Sequence, residues 1–179
     1  MRASIKIVFI FMFGFALTIA TGCAPTLISI STPEIQALEN SYYSAQFEPL
    51  AEGKNFFDKF SLKVANKTDK DLEIDWNKTR YLYNGHNLGI FVFSGIQPED
   101  IKNLTIPPDI IPAGHSFSKV ITPLKLLARE PISGKSNQAG KITSGPIPNG
   151  KNGIFLFIRQ NDNQVKENLT VNITEKTLQ

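Results

Sequence analysis

The sequence predicts an all-β protein built as an antiparallel sandwich that follows an N-terminal signal peptide and a tether. Two observations support this fold class. From Tyr42 onward, apolar residues alternate with polar ones at a period of two, which is typical of strands with one buried face. Turn-forming groups of Asn, Asp, Gly and Pro separate these segments at intervals of about 8–12 residues, as in β-sandwiches.

The first clear strand pair is predicted between residues 60 and 77. The side chains expected to face the core are Phe60, Leu62, Val64, Leu72, Ile74 and Trp76. The polar segment 66–70 separates the two strands and predicts a turn. Because short turns permit antiparallel pairing, we expect the two strands to form a hairpin. Trp76 is expected to fill the core between sheets.

Further strands are predicted in the middle of the chain at residues 79–83, 88–93 and 116–121. Asn84-Gly85 is a strong tight-turn pair and should end the first of them. One helical turn is expected from Pro98. Ile106-Pro107-Pro108 should interrupt any regular element, because proline has no backbone donor and a fixed φ.

The C-terminal part predicts a central strand over residues 153–159, a turn over 161–164 and a last strand whose inward residues are Leu169, Val171 and Ile173. In total, roughly seven to nine short strands are predicted, which favours a sandwich of immunoglobulin type. A Greek-key barrel is the alternative.

A long exposed loop is predicted over residues 129–150, where Gly and Pro are scattered among Ser, Asn and Lys. Long loops in compact domains are usually functional or mobile. Its basic residues are therefore our candidate contact surface: Arg129, Lys135, Lys141 and Lys151.

Charge is distributed unevenly along the chain. Residues 24–100 hold eleven acidic and seven basic residues, whereas residues 101–160 hold two acidic and eight basic ones. A basic region can meet an anionic surface such as lipid headgroups or a cell-wall polymer. The interpretation that we favour for the basic region itself is a set of solvated lysines on loops.

The N-terminus has the pattern of an export signal. Arg2 and Lys6 form a basic head, an apolar run spans 7–20, and small residues precede Cys23, which is the only cysteine of the chain. Thr21-Gly22-Cys23 resembles the last three positions of the bacterial lipobox. That resemblance implies that the Cys23 thiol receives a diacylglycerol and that the chain is cut before Cys23. It also implies that the mature protein is anchored in the membrane through two or three acyl chains, palmitate among them.

Two alternatives to lipidation are an uncleaved N-terminal membrane helix and plain secretion. Ala24 follows the cysteine, and by resemblance to the enteric sorting rule this favours the outer membrane, facing the periplasm. The expected organisation is a signal peptide at 1–22, a lipidated tether at 23–41 and a β-sandwich domain at 42–179.

No pattern in the chain indicates catalysis, and we expect neither an enzyme nor a cofactor. His86 and His115 are too few for a zinc site, which needs three or four ligands. The alternating acids between Asp69 and Asp75 suit a solvated strand face better than a compact calcium cage. We therefore predict no metal site.

Five Asn-X-Ser/Thr sequences occur, and we interpret them as Asn and Thr at strand ends and turns rather than as glycosylation sites. They begin at Asn66, Asn77, Asn103, Asn168 and Asn172.

The segment 60–79, with a strand, an Asn-X-Thr turn and a second strand, resembles the first strand pair of immunoglobulin-like domains in bacterial lipoproteins. The resemblance implies a fold and an anchor and assigns no catalytic residue. We therefore expect a membrane-anchored, non-catalytic envelope lipoprotein that contacts an envelope protein or a cell-wall polymer, and no nucleic acid. The alternative is a small ligand- or glycan-binding module that uses Trp76, Tyr81 and Tyr83.

Overall fold

The computed structural model describes residues 26–129 and 142–178. Within them, the strands in chain order are β1 (Leu27–Thr32), β2 (Gln36–Glu39), β3 (Tyr43–Leu50), β4 (Lys59–Asn66), β5 (Leu72–Ile74), β6 (Arg80–Tyr83), β7 (His86–Asn87), β8 (Phe91–Val92), β9 (Asp109–Ile111), β10 (Ser116–Pro123), β11 (Leu127–Arg129), β12 (Ile142–Ser144), β13 (Gly150–Gln160) and β14 (Asn163–Thr177). A short helix, α1 (Pro98–Asn103), and a 3-10 turn at Leu124–Leu126 complete the described elements.

The strands form two main antiparallel sheets, which confirms the predicted all-β sandwich. The larger sheet has the order β1-β14-β13-β5-β9, with β6 also paired to β13 and β7 paired to β6. The smaller sheet has the order β2-β3-β4-β10-β8, and β11 and β12 form a separate two-stranded ribbon. The described strands outnumber the roughly seven to nine predicted, because several are two to four residues long and have no alternation of their own.

The core lies between the two sheets and is built by the predicted alternation. The expected inward residues of β4, β5 and β14, together with Trp76, are all buried. The Phe47 and Phe60 rings stack at 4.4 Å between centroids, and Phe91 meets Phe60 edge-on at 6.3 Å. Such pairs add to the hydrophobic stabilisation of the core.

The expected hairpin of β4 with β5 is wrong, because the two strands belong to different sheets. After β4 the chain crosses from the smaller sheet to the larger one, and the buried Asn66 side chain stabilises this crossing. Its Nδ2 donates to the carbonyl oxygens of Lys70 at 2.8 Å and Ile111 at 3.0 Å, and its Oδ1 accepts from Thr68 N at 2.9 Å. Alternation shows which side chains face inward but not which sheet a strand joins.

Other local predictions are confirmed. Asn84 and Gly85 both have positive φ, 49° and 82°, and form the two-residue turn between β6 and β7. The strand predicted at 153–159 lies in the middle of the larger sheet as β13. The helical turn expected at Pro98 is the first turn of α1, where Asp100 Oδ2 accepts from Gln97 N at 3.1 Å.

Regular structure begins earlier than the expected domain boundary at Tyr42. β1 pairs with β14 and β2 pairs with β3, so the tether predicted for 23–41 contains an edge strand of each sheet. The alternation Ile28-Ser29-Ile30-Ser31 is the sequence signal for β1. The part of the expected tether that precedes β1 is therefore only four residues long, Cys23 to Thr26.

The segment predicted as a long exposed loop, 129–150, is partly ordered against the domain. Its described part contains β12 and the buried Ile147, whose backbone N donates to Phe57 O at 2.8 Å. Residues 130–141 lie outside the description.

A cluster of charged and aromatic side chains joins β9 of the larger sheet to β10 of the smaller sheet. The Lys119 ammonium pairs with Asp109 and lies 3.8 Å from the centroid of the Phe93 ring. Trp76 Nε1 donates to Asp109 Oδ2 at 2.7 Å. Because Lys119 belongs to the smaller sheet and Asp109 to the larger one, the pair joins the two layers across a partly desolvated edge.

Candidate functional site

The outer face of the larger sheet concentrates positive charge. On β14, Lys166 and Lys176 stand at even-numbered positions and point away from the core. Glu167 and Glu175 stand at odd-numbered positions, on the other side of the strand. On β13, Lys151 and Arg159 share the outward parity of these lysines, because they pair with Asn172 and Gln164. The strand period therefore collects basic side chains on one face.

On β5, β6, β13, β14 and residues 75–78, this basic face holds six basic and two acidic residues, and the exposed Asp71 lies at its edge near Glu73 and Arg159. The residues of the face are Lys78, Arg80, Lys151, Arg159, Lys166 and Lys176, with Glu73 and Asp75. Both acids already form ion pairs. Glu73 pairs with Arg159, and Asp75 Oδ2 lies 3.9 Å from Arg159 Nη2 and 3.7 Å from Lys78 Nζ. Lys151, Lys166 and Lys176 are exposed and have no acidic partner among the described side chains.

Phe157 organises the middle of the basic face. Its ring is almost buried beneath two ammonium groups, with Lys78 Nζ at 4.8 Å and Lys166 Nζ at 5.4 Å from the centroid. Cation–π attraction of this kind contributes about 0.5–1 kcal/mol at exposed sites. The ring therefore holds two like charges near each other on the surface.

Next to Lys151 the same face contains a groove of about 470 Å³. Its polar lining consists of Thr32, Lys151, Asn168, Thr170 and Asn172. Gly153 contributes no side chain, and a Cβ there would lie 2.7 Å from the backbone oxygen of Leu169.

The turn between β6 and β7 positions Lys151. Its backbone N donates to Asn84 Oδ1 at 3.0 Å, and its carbonyl oxygen accepts from Asn84 N at 2.8 Å. Asn84 adopts a positive φ, which asparagine tolerates better than most residues. The turn predicted from Asn84-Gly85 therefore has a direct role in the site.

The outer face of the smaller sheet is different. Small side chains lie next to one another on the outward side of its strands, including Ser44, Ala65, Ser116 and Ser118. Lys59 pairs with Glu52, and Lys67 pairs with Glu39. These ion pairs lower the pKa of both glutamates. No comparable excess of basic residues forms on this face in the described part of the chain.

Of the predicted contact residues, only Lys151 has a described side chain, and it is exposed on the basic face. Arg129 is the last residue of β11, and Lys135, Lys141 and Cys23 lie outside the described residues. The predicted loop surface therefore stays a prediction.

Sequence reasoning missed the other five basic residues of the basic face, which are Lys78, Arg80, Arg159, Lys166 and Lys176. The sequence of β14 did indicate that its lysines share one face, because Lys166 and Lys176 stand at even positions and Glu167 and Glu175 at odd ones. The neighbouring strand register, which places Arg80 and Lys151 on the same face, could not be deduced from the sequence.

The aromatic ledge expected for a glycan-binding module does not form, because Trp76 and Tyr81 are fully buried and Tyr83 is half-buried. The Tyr81 hydroxyl donates to the buried Asn152 Oδ1. Burial, and then the hydroxyl of Tyr83, raise the pKa of Tyr81 far above its usual value. These aromatic residues belong to the core.

His86, the first residue of β7, and His115, just before β10, are both exposed. Across residues 26–129 and 142–178, the structure brings together no group of three or more His, Cys, Asp or Glu side chains that could hold a metal ion. No helix within those ranges is long and apolar enough to cross a bilayer.

Comparison with known proteins found no matching family model, no similar curated protein and no similar solved structure. The fold and the basic face therefore provide the grounds for a functional assignment.

Proposed function

We propose that this chain is an exported, non-catalytic envelope lipoprotein, anchored through acyl chains on Cys23, whose basic face contacts an anionic polymer of the cell envelope. The export signal and the resemblance of Thr21-Gly22-Cys23 to a lipobox support the anchor. With Ala24 after the cysteine, we propose the periplasmic face of the outer membrane as its location.

The observation that supports the contact most directly is the excess of unpaired positive charge on the basic face. Lys151 and Lys166 lie roughly 20 Å apart along the strand direction, at about 3.4 Å per residue, because Lys151 pairs with Asn172, six residues after Lys166. A row of this length suits an extended polyanion better than one small anion. The polar Asn and Thr side chains between the lysines can accept and donate hydrogen bonds to sugar hydroxyls.

The test is co-sedimentation of a soluble Cys23→Ser form, without residues 1–22, with purified envelope polysaccharide. The Lys151→Glu, Lys166→Glu double variant should bind at least about tenfold more weakly, which corresponds to ~1.4 kcal/mol. The matched control is Lys63→Glu with Lys70→Glu, which changes the net charge equally but alters exposed residues off the basic face. Equal loss in both variants would show that only net charge matters and would contradict the proposed site.

The anchor has a separate test, which is the intact mass of the native protein. A mature chain that starts at Cys23 and carries the mass of two or three acyl chains supports lipidation. A chain that starts elsewhere, or that has the mass of the bare polypeptide, removes the anchor from the proposal and leaves the basic face to be tested by itself.

The second candidate function is a small ligand- or glycan-binding module. The groove beside Lys151 favours it, because a volume of about 470 Å³ lies within the range of small-molecule sites. A neutral oligosaccharide that binds there should lose affinity in the Asn168→Ala, Thr170→Ala variant and keep it at high salt. Binding that disappears at high salt would favour the polyanion instead.

A further inference from the structure

We infer that the paired tip of β1 and β14 rests in the headgroup layer of the membrane, so that the strands of the larger sheet rise from the bilayer instead of lying on it. This inference rests on the proposed acylation of Cys23. The occupant of the tip surface is a phospholipid bilayer.

The tip is the two-stranded extension formed by residues 27–30 and 174–178. β13 begins at Gly150, opposite Ile173, so the four residues after Ile173 pair with β1 alone. Leu178 N donates to Thr26 O at 2.9 Å, which holds the residue before β1 beside the residue after β14. The tip therefore extends beyond the end of β13, with the β3–β4 connection beside β1, because Ser29 N donates to Asn55 O at 2.7 Å.

The tip exposes apolar side chains on both of its faces. Leu178 is 50% exposed and Ile30 is 37% exposed, and both share the parity of Lys176. Leu27 is 48% exposed on the other face, which it shares with the exposed Glu175. Apolar side chains beside a lysine are the composition that binds at a membrane interface, since the apolar part enters it and the ammonium meets lipid phosphates.

The length of chain between the anchor and the tip supports the same arrangement. Cys23 is three residues before Thr26, so the α-carbon atoms of the two residues are at most roughly 11 Å apart. The headgroup region of each leaflet is about 5–8 Å thick. Acyl chains that start at Cys23 thus bring Leu27 and Leu178 to the headgroups, whereas the tether first expected, 23–41, could have extended to roughly 60 Å.

One consequence follows for the basic face. The β13–β14 turn at Asp162 stands at the other end of β14, roughly 50 Å from the tip along fifteen residues. Lys151 and Lys166 therefore face sideways, away from the lipid surface, which leaves them accessible to a polymer beside the membrane.

The test uses the lipidated protein in vesicles of phosphatidylethanolamine and phosphatidylglycerol that contain a headgroup spin-labelled lipid. Acylation blocks the Cys23 sulfur, so a single introduced cysteine can be labelled with a fluorophore. The Leu178→Cys label should lose most of its fluorescence to the spin label. The Asp162→Cys and Ile110→Cys labels should keep theirs; Ile110 is a matched control because it is 52% exposed and apolar but lies on the edge strand β9.

Intact mass is measured on the same samples, so that failure of the anchor is distinguished from failure of the tip contact. Acylated protein in which all three labels are quenched equally, or not at all, overturns the inference. Loss of Leu178→Cys fluorescence that grows with protein density and needs no spin-labelled lipid would assign the tip to a second copy of the chain, and would overturn it too. Protein without acyl chains contradicts the proposed anchor and with it this inference.

Discussion

Gly153 on β13 occupies a position where no side chain fits. The backbone oxygen of Leu169 would lie 2.7 Å from an added Cβ, and Thr170 Oγ1 would lie 3.0 Å from it. Glycine in a strand interior often marks such a close approach. The residue keeps β13 and β14 at their observed separation and leaves the floor of the groove open.

Gly153→Ala should therefore lower the free energy of unfolding by about 1–3 kcal/mol, because the nearest clash is with backbone that cannot rotate away. Urea unfolding measures the change. Adding Thr170→Ala should not restore stability, since that change removes only the more distant contact. Full recovery in the double variant would assign the clash to the hydroxyl.

Tyr81 and Tyr43 are both fully buried but differ in hydrogen bonding. Tyr81 donates to Asn152, whose Nδ2 also donates to Pro148 O at 2.8 Å. Tyr43 Oη has no hydrogen-bond partner in the described part of the chain. Tyr81→Phe should cost about 1–3 kcal/mol in unfolding free energy, because Asn152 Oδ1 would lose its donor, whereas Tyr43→Phe at pH 7 should cost nothing or stabilise. Equal losses in urea unfolding would contradict this contrast.

Stability should also depend on the ionisation of Tyr43 at high pH. Burial, and then the Glu167 charge, raise the pKa of Tyr43 to about 12, against about 10 in the unfolded chain. The folded state holds the proton more tightly, so this contribution is complete below about pH 10 and is lost as the pH rises towards 12. The unfolding free energy of Tyr43→Phe should thus fall less between pH 9 and 11 than that of the unchanged protein. Identical declines in the two proteins would exclude this contribution.

At the scale of elements, the crossing between β4 and β5 depends on one amide. Asn66 donates to carbonyl oxygens from the crossing and from the β9–β10 turn, including Pro112 O at 3.1 Å. Asn66→Asp keeps the shape but removes both donors and brings a charge towards these oxygens. We expect a loss of about 3 kcal/mol in unfolding free energy. Asn168→Asp, at an exposed position, is the matched control and should change stability by less than about 0.5 kcal/mol.

The sequence predicted individual elements better than their connections. Inward residues such as Leu62 and Val171 followed from alternation, because a period of two places every second side chain on the buried face. The assignment of β4 and β5 to different sheets could not be predicted, since a polar turn of this length suits a hairpin and a crossing equally. Contacts of Asn66 with a turn more than forty residues away decide between them.

At the scale of the whole molecule, separation of charge matters more than total charge. The chain has a formal net charge of only +3, yet its larger sheet presents one strongly basic face. Sequence reasoning found the basic half of the chain and Lys151, but it could not place Lys166 beside Lys78, because that requires the pairing of Phe157 with Lys166.

Binding of the soluble form to an anionic polysaccharide should therefore weaken steeply with salt. Raising NaCl from 50 to 500 mM shortens the Debye length from about 14 Å to about 4 Å and screens the exposed lysines. Biolayer interferometry with immobilised polymer measures the change. Lys151→Glu with Lys166→Glu should make the salt dependence shallower, and an unchanged slope would argue against the basic face as the contact.

The location of Asn168 and Asn172 has a practical consequence for producing this protein. Each begins an Asn-X-Thr sequence, and both are exposed side chains that line the groove beside Lys151. Secretion from yeast or mammalian cells would allow oligosaccharyltransferase to modify them and cover the lysines with bulky glycans. Material for binding assays should therefore come from a bacterial host.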